Sequence, residues 1–462
     1  MNPDEFLKLH EDVPETVEYS TMMNYANEPF IIFEGDFLLK NGIEEITFSG
    51  IINFNWVAST GAQFQGEIKE DSLGFRYSAR DSYSIIINGL EIGEGFVTNT
   101  NIGNNLSIKG ILSGETVFGD RSVSVEKIVF SIPNLRDFHG MPIKKIINED
   151  VLLRRGRLTL ENETYVINID QCEDYQKRTD SLKERGGYII LFYGELVSKS
   201  GLVTYEDTRD IFDCLDTFIT FLNGKRTAAM FQQGKFKNEI TWYDYTDYFV
   251  DSHRNVQSWP QSHSIAGLND LWQSFSNIWK NADDRNFLRT AIHWYVEANG
   301  HRGFSEGSII MAQTALELLY NWFVVERKKL ILGRDSENIS AANKIRLLLS
   351  QLDISLEVPD SFTKLQEFVN SSNNILDAPD AVVQIRNAIV HSQVEKRKKL
   401  SAIHYIAKYE ALQLCIWYIE MALLRILDFN EKYFNRCSGE IYKSRADVYV
   451  PWANRKIIDN YK

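Results

Sequence analysis

Residues 384–392, with the sequence QIRNAIVHS, place an arginine, an amide and a histidine among the apolar residues of a segment that is otherwise typical of a buried helix. Asn387 and His391 are four residues apart, so they share one face if the segment is a helix. Arg386 begins on a neighbouring face, but its long side chain can reach the same place. A guanidinium, an amide and an imidazole without a carboxylate suit an anionic ligand better than a metal ion.

These three residue types also fit the cleavage of RNA without a metal ion. In that reaction a 2′-hydroxyl attacks the adjacent phosphate, so a base and an acid are needed while charge builds on the phosphate oxygens. A histidine can take or give a proton near neutral pH, which makes His391 the candidate acid or base. Arg386 can hold a phosphate through two parallel hydrogen bonds, and Asn387 can orient His391 or the phosphate. The structural alternative is a polar pair between helices.

The elements that must position this motif change type along the chain. Thirteen of the 27 glycines fall in residues 1–120 and only two follow Gly307, which indicates a β-rich start and a helical end because glycine is unfavourable inside helices. Apolar spacing predicts helices at 268–279, 284–298, 306–329, 341–352, 361–376, 379–396 and 399–427. Pro379 suits a first helical turn, capped by Asp377 or Ala378.

The first part of the chain is rich in Ile, Val, Phe and Tyr with partial alternation. Strands are predicted within 45–56, 75–88, 105–111, 122–132, 152–170 and 187–195. Their regular spacing favours a sandwich or a strongly curved antiparallel sheet. A helix at 206–222, a hairpin-like return at 225–237 and a linker at 251–266 follow. The predicted fold is α+β, with a sandwich-like β domain at 1–200, an α+β extension and linker at 201–262, and an all-α bundle at 263–462.

The Arg-Asn-x3-His segment resembles the Arg-x4-His signature of HEPN-type ribonucleases, in which a polar residue commonly follows the arginine. HEPN domains are up-and-down helical bundles that carry this motif on a late helix, as predicted here for Arg386 and His391. The long helix containing Met311-Ala312-Gln313-Thr314-Ala315-Leu316-Glu317 is similar to an early helix of that family. A β-rich domain, a helix ending in Phe221-Leu222-Asn223-Gly224-Lys225-Arg226 and then such a bundle resemble the ApeA-like HEPN proteins of bacterial anti-phage defence.

The resemblance implies an RNA substrate and a metal-independent endoribonuclease that halts growth of infected cells, with the N-terminal domain sensing a phage-derived trigger. It also implies a homodimer or higher homo-oligomer, because HEPN ribonucleases bring two motifs together across a two-fold axis. The basic run Lys396, Arg397, Lys398 and Lys399 suits RNA phosphates, although such runs are usually solvated. Glu317 is either an orienting residue behind the catalytic pair or a surface glutamate. The rival function is a non-catalytic HEPN module that binds RNA, a nucleotide or a partner protein.

Composition limits which classes of protein this chain can belong to. The net charge of −13 argues against a general nucleic-acid coat, while leaving room for a local basic site. Four scattered cysteines without metal-binding spacing, an acidic N-terminus and the lack of a run of about 18 apolar residues predict a cytoplasmic protein that needs no membrane, metal or cofactor. His293 and Glu297 could supply two metal ligands, but a helix-surface pair is the simpler interpretation. The aromatics Trp242, Tyr243, Tyr245 and Tyr248 are either a base-stacking platform or, more simply, a packed edge of the β domain.

Overall fold

The computed structural model describes residues 11–42, 44–69, 81–102, 106–147, 150–261, 263–300, 305–391, 394–440 and 443–453. The chain divides into two compact units. The β unit comprises residues 1–216 and 227–254, and the helical unit comprises residues 217–226 and 255–462. The fold is therefore mixed α+β, with a β-rich N-terminal region and a helical C-terminal region.

In the β unit, the first strands close on themselves. They are β1 (Phe30–Asn41), β2 (Glu44–Asn55), β3 (Gly61–Ile68), β4 (Ser82–Ile87), β5 (Leu90–Ile102) and β6 (Leu106–Ser113). Among the described residues they form a closed barrel in the order β1-β2-β3-β6-β5-β4. Alternate side chains fill the barrel with Phe, Ile and Leu, among them Phe48 and Ile52. Gly50 allows β2 and β3 to approach closely, since a Cβ there would lie 2.0 Å from the Gln65 carbonyl oxygen.

The other strands of the β unit are β7 (Val117–Gly119), β8 (Lys127–Pro133), β9 (Met141–Ile147), β10 (Asp150–Glu161), β11 (Tyr165–Gln171), β12 (Ile190–Ser198), β13 (Met230–Phe236) and β14 (Glu239–Asp244). In the described part of the chain they form an eight-stranded sheet in the order β7-β14-β13-β8-β12-β11-β10-β9. Two helices accompany them, α1 (Tyr175–Arg185) and α2 (Tyr205–Asn223), and α2 passes into the helical unit at Thr217. The sandwich predicted from the sequence is not the arrangement of these described strands, whereas the antiparallel closed barrel agrees with the alternative prediction of a strongly curved sheet.

The helical unit contains α3 (Leu268–Trp279), α4 (Ala282–Asn299), α5 (Ser305–Tyr320) with a π-helical continuation (Asn321–Arg327), α6 (Arg334–Asn338), α7 (Ala341–Gln351), α8 (Thr363–Asn370), α9 (Ala378–Val390), α10 (Val394–Ala402), α11 (Tyr405–Ile426) and α12 (Lys443–Ala446). Two short strands, β15 (Lys432–Phe434) and β16 (Asp447–Tyr449), pair beside them. Helix α11 lies at the centre, since nearly every residue from Glu410 to Leu424 is buried. It packs against α5 and α8 and also contacts α9, the helix that carries the motif.

The segment Ser305–Arg327 is the one described helix that is long and apolar enough to cross a membrane. Of its most apolar stretch 56% is buried inside the protein, as expected for a core helix. Ile309, Ala312, Ala315, Leu316 and Leu319 on this helix are fully buried, which confirms the apolar stripe predicted there.

Candidate functional site

Helix α9 is held firmly at its N-terminus. The Asp377 side chain caps it by accepting a hydrogen bond from the Asp380 backbone N–H at 2.9 Å, and Pro379 lies in the first turn as predicted. Two nitrogens of Arg346, on α7, donate hydrogen bonds to the Asp377 carboxylate, at 2.6 and 2.9 Å. Hydrogen bonding to Asp377 raises the pKa of Arg346 above its ordinary value. The capping residue is therefore itself fixed by a neighbouring helix.

The middle of α9 is anchored by its apolar face. Ala381, Val382 and Ile385 are fully buried, and Gln313 of α5 donates a hydrogen bond to the Val382 carbonyl oxygen at 2.6 Å. A buried amide bonded to a helix carbonyl fixes the rotation of α9 about its axis. The polar motif residues consequently lie on the opposite, more accessible side.

His391 ends the helix. Its backbone N–H donates to the Asn387 carbonyl oxygen at 3.2 Å, while its own backbone is extended and its side chain is exposed. The prediction of one helix over 379–396 is therefore wrong, because the chain leaves the helix at His391 and re-enters one at Val394. The break directs the imidazole outward at a helix terminus, where it is accessible to a ligand.

Arg386 and Asn387 form the half-buried base of this site. The Arg386 Nη1 donates to the Asn387 Oδ1 at 3.3 Å. The Arg386 Nε is buried and has no hydrogen-bond partner among the described residues. A guanidinium is always charged and carries five N–H donors, so Arg386 is a candidate to bind a phosphate through terminal donors that the bond to Asn387 does not use. Asn387 links the other two residues, through its side chain to Arg386 and through its backbone to His391.

A cavity of about 350 Å³ opens beside the motif. Its walls come from α9 (Gln384, Asn387, Ala388), from α8 and the turn after it (including Phe368 and Ile375), and from the end of α10 and the residue after it (including Ile403). The sequence interpretation missed every one of these residues except Asn387. A sequence signal existed only for Gln384, which lies three residues before Asn387 and therefore on the same helix face.

Glu317 lies away from the motif. Its carboxylate is 3.9 Å from the Lys344 Nζ of α7, the helix whose Arg346 binds Asp377. Because Gln313 contacts Val382, the turn after Gln313 runs toward the capped start of α9 rather than toward His391. These contacts favour the surface alternative for Glu317.

A different glutamate of α5 binds the central helix. Glu306 forms an ion pair with Lys408 of α11 at 2.8 Å, and this contact lowers the pKa of Glu306. Glu306 and Lys408 therefore fix the start of α5 against the start of α11.

The basic run lies on α10, directly after the break at His391. Lys398 is exposed, whereas the side chains of Lys396, Arg397 and Lys399 lie outside the described part of the structure. His404, next along the chain, has a structural role, because its Nδ1 accepts a hydrogen bond from the Ile406 N–H and caps α11. The exposed imidazole of His391, unlike that of His404, does not cap a helix.

The other candidates from the sequence have structural partners. His293 and Glu297 both contact Arg226, at 3.1 Å for the His293 Nδ1 and by an ion pair for Glu297. The aromatics of β14 pack within the β unit: Trp242 is fully buried against Tyr205, and Tyr243 stacks on Tyr245. No group of three or more His, Cys, Asp or Glu side chains among the described residues is arranged to hold a metal ion.

Comparison with known proteins finds similarity to two domain models and to one curated protein. Residues 120–256 match the model of the YopA central domain, and residues 281–447 match that of the YopA C-terminal domain. The second match includes the motif and the cavity. The chain is also 25% identical over 448 residues to the SPbeta prophage-derived uncharacterized protein YopA of Bacillus subtilis (strain 168), covering 94% of this chain and 98% of that relative. No solved structure matches the chain.

Proposed function

We propose that this protein is a metal-independent endoribonuclease of the HEPN type, cytoplasmic and acting in anti-phage defence. The observation that carries the proposal is the geometry at the end of α9. An exposed imidazole, His391, follows five residues after the guanidinium of Arg386, and Asn387 bonds to Arg386 through its side chain and to the His391 backbone. This arrangement offers a proton carrier beside a phosphate-binding group, which is the pair that metal-free RNA cleavage requires.

The surface around His391 supports a composite site made by two chains. Exposed apolar side chains lie on both sides of it along the chain, since Val390 is 44% exposed and Val394 58%. Apolar groups at the centre of a surface are typical of homodimer interfaces, and a two-fold axis there would bring two His391 side chains together. The second imidazole would supply the acid when the first acts as base.

The biological role rests on the family resemblance and on one comparison. The relative from Bacillus subtilis is prophage-derived, and this origin supports a role in the interaction between a phage and its host. The β unit, which is large and carries a barrel and a wide sheet, is the proposed sensor that restrains the helical unit until a phage-derived trigger binds.

The direct test compares RNA cleavage, or growth arrest on expression, for wild type and for Arg386→Ala, His391→Ala and His263→Ala. Loss of acid–base catalysis should lower activity by roughly 10²–10⁴-fold in His391→Ala, and Arg386→Ala should also lose activity. The control exchanges His263, an exposed histidine of the same unit, and should leave activity unchanged. All variants should melt within a few degrees of wild type, since the His391 side chain is exposed and Arg386 is only half-buried.

Two results would overturn this proposal. If Arg386→Ala and His391→Ala unfold, the motif is a structural polar pair. If both variants and wild type bind RNA but none cuts it, the non-catalytic binding module is correct.

The composite site has a separate test by analytical ultracentrifugation. Wild type should sediment as a dimer, and Val394→Glu should dissociate it and abolish cleavage because a charge enters an apolar interface. Leu332→Glu is the matched control, since Leu332 is 62% exposed elsewhere in the helical unit. A wild-type monomer that cuts RNA would exclude the two-chain site.

A further inference from the structure

The cavity beside the motif has walls without charge. Its apolar surfaces come from residues that include Phe368, Ile375 and Ile403. Its polar side chains are the amides of Gln384 and Asn387 and the hydroxyls of Ser371 and Ser372. None of the described residues that line it is ionisable. An ion would have no counter-charge there, so the cavity suits a neutral and largely apolar group with a few polar atoms.

Gln384 and Asn387 each have one side-chain amide atom that is bonded to a described residue and one that is not. The Gln384 Nε2 donates to the Asn374 carbonyl oxygen at 3.1 Å, and the Asn387 Oδ1 accepts from Arg386 at 3.3 Å. The Gln384 Oε1 and the Asn387 Nδ2 have no further bonds to residues that the structure describes. One acceptor and one donor remain, and this pairing matches the edge of a nucleobase, which presents donors and acceptors side by side.

The position of the cavity relates it to the charged part of the site. Gln384, Asn387 and Ala388 lie on one face of α9, and Asn387 is also the side-chain partner of Arg386. The cavity is therefore adjacent to a guanidinium that can bind phosphate, with His391 one turn further along. In single-stranded RNA a base and its phosphate are separated by one ribose, so both can be bound at once.

We propose that the cavity receives one unstacked base of a single-stranded RNA, whose neighbouring phosphate lies at Arg386 and His391. This inference rests on the ribonuclease proposed above and specifies its substrate as RNA in which a base can leave the stack. The volume of about 350 Å³ lies near the lower end of ordinary ligand pockets, as expected for one base. Fully base-paired RNA should accordingly be a poor substrate.

The first experiment measures ligand binding without catalysis. Ribose 5-phosphate carries a hydroxyl where adenosine 5′-monophosphate carries the base, and the wild-type protein should bind the nucleotide at least about fivefold more tightly, since enclosing a base is worth roughly 1–3 kcal/mol. Ser372→Trp fills the cavity and should remove this preference. Asn373→Trp is the matched control, because Asn373 is the next residue in the same turn and does not line the cavity.

Equal binding of the two ligands by wild type would overturn the base pocket, as would an undiminished preference in Ser372→Trp. Ala402→Trp enters the cavity from its exposed wall and replaces Ser372→Trp if that variant does not fold.

The second experiment uses cleavage and separates the two proposals. Single abasic substitutions along a short RNA should lower kcat/KM by about tenfold or more at one position next to the cut, and Ser372→Trp should cut all these RNAs at a similar, reduced rate. His391→Ala should lose cleavage yet keep the preference for the nucleotide. Nucleotide binding without any cleavage by wild type would defeat the ribonuclease and leave the pocket in place. Cleavage that is equal at every abasic position would defeat the pocket and leave the ribonuclease in place.

Discussion

Replacing Arg436 by Met should destabilise the helical unit more than the exchange of any exposed cation. The Arg436 side chain is 1% exposed, and its partner Glu420 is 0% exposed. The guanidinium donates to both Glu420 oxygens, at 2.9 and 2.5 Å, and to the Gln413 Oε1 at 3.0 Å. Met has a similar volume, so the exchange removes the charge and its hydrogen bonds with little change in packing.

The expected magnitude follows from what the exchange leaves behind. Glu420 would retain the Tyr295 hydroxyl at 2.8 Å but would be a buried carboxylate without its cation. Breaking a buried ion pair from one side costs about 3–5 kcal/mol, a large part of the roughly 5–15 kcal/mol that stabilises a typical domain. Lys364 and Glu367 form an exposed pair, with side chains 35% and 63% exposed, so Lys364→Met should cost less than about 1 kcal/mol.

Urea unfolding followed by tryptophan fluorescence measures this loss in the appropriate unit. Seven of the nine tryptophans belong to the helical unit: Trp259, Trp272, Trp279, Trp294, Trp322, Trp417 and Trp452. A double variant, Arg436→Met with Glu420→Met, removes both charges and should recover most of the stability that Arg436→Met loses. The reasoning fails if Arg436→Met costs no more than Lys364→Met, or if the double variant is less stable than Arg436→Met.

Three further predictions concern single contacts. Asp377→Ala removes the side chain that caps α9 and binds Arg346. The variant should lower the free energy of unfolding by about 1–2 kcal/mol in urea titrations and slow RNA cleavage. Unchanged stability would contradict this prediction. Burial raises the pKa of Glu410, so the folded state disfavours its charged form and wild type should lose stability as pH rises from the usual glutamate range through the raised pKa. Glu410→Gln lacks this loss, so its melting temperature relative to wild type should be higher at pH 8 than at pH 5, and parallel pH profiles would exclude the charge effect. Gly50→Ala places a Cβ 2.0 Å from the Gln65 oxygen and should destabilise the barrel by at least about 1–3 kcal/mol in thermal melts, whereas Gly307→Ala meets nothing within 4 Å and should be tolerated.

The sequence predicted the elements that bury a regular apolar stripe. Helix α3 begins and ends at the predicted residues, Leu268 and Trp279, because its apolar residues recur at helical spacing and are buried. Helix α1 was missed, since only Arg178 and Leu182 are buried on it and no apolar stripe marks it. Closure of the barrel was not predictable either, because it depends on the pairing of β1 with β4, for example Leu38 with Ile86, which local alternation does not specify.

For the candidate site too, local spacing predicts some features, whereas others depend on tertiary packing. Helical spacing could predict that Arg386 and Asn387 lie on one helix, where their side chains bond to each other. The end of α9 at His391 was missed because the apolar pattern continues through Val394. The cavity was missed because Phe368 and Ile403 come from other parts of the chain, and only tertiary packing brings them to Asn387.

The central claim is that the residues at the end of α9 cut RNA without a metal ion. The most direct measurement follows a short RNA, and the same RNA with deoxyribose at every position, incubated with the purified protein in excess EDTA. The account predicts that only the RNA is cut and that the product carries a cyclic phosphate, because the 2′-hydroxyl is the nucleophile. Activity that disappears in EDTA and returns with Mg²⁺ or Mn²⁺, or equal cleavage of the deoxyribose strand, would contradict the account.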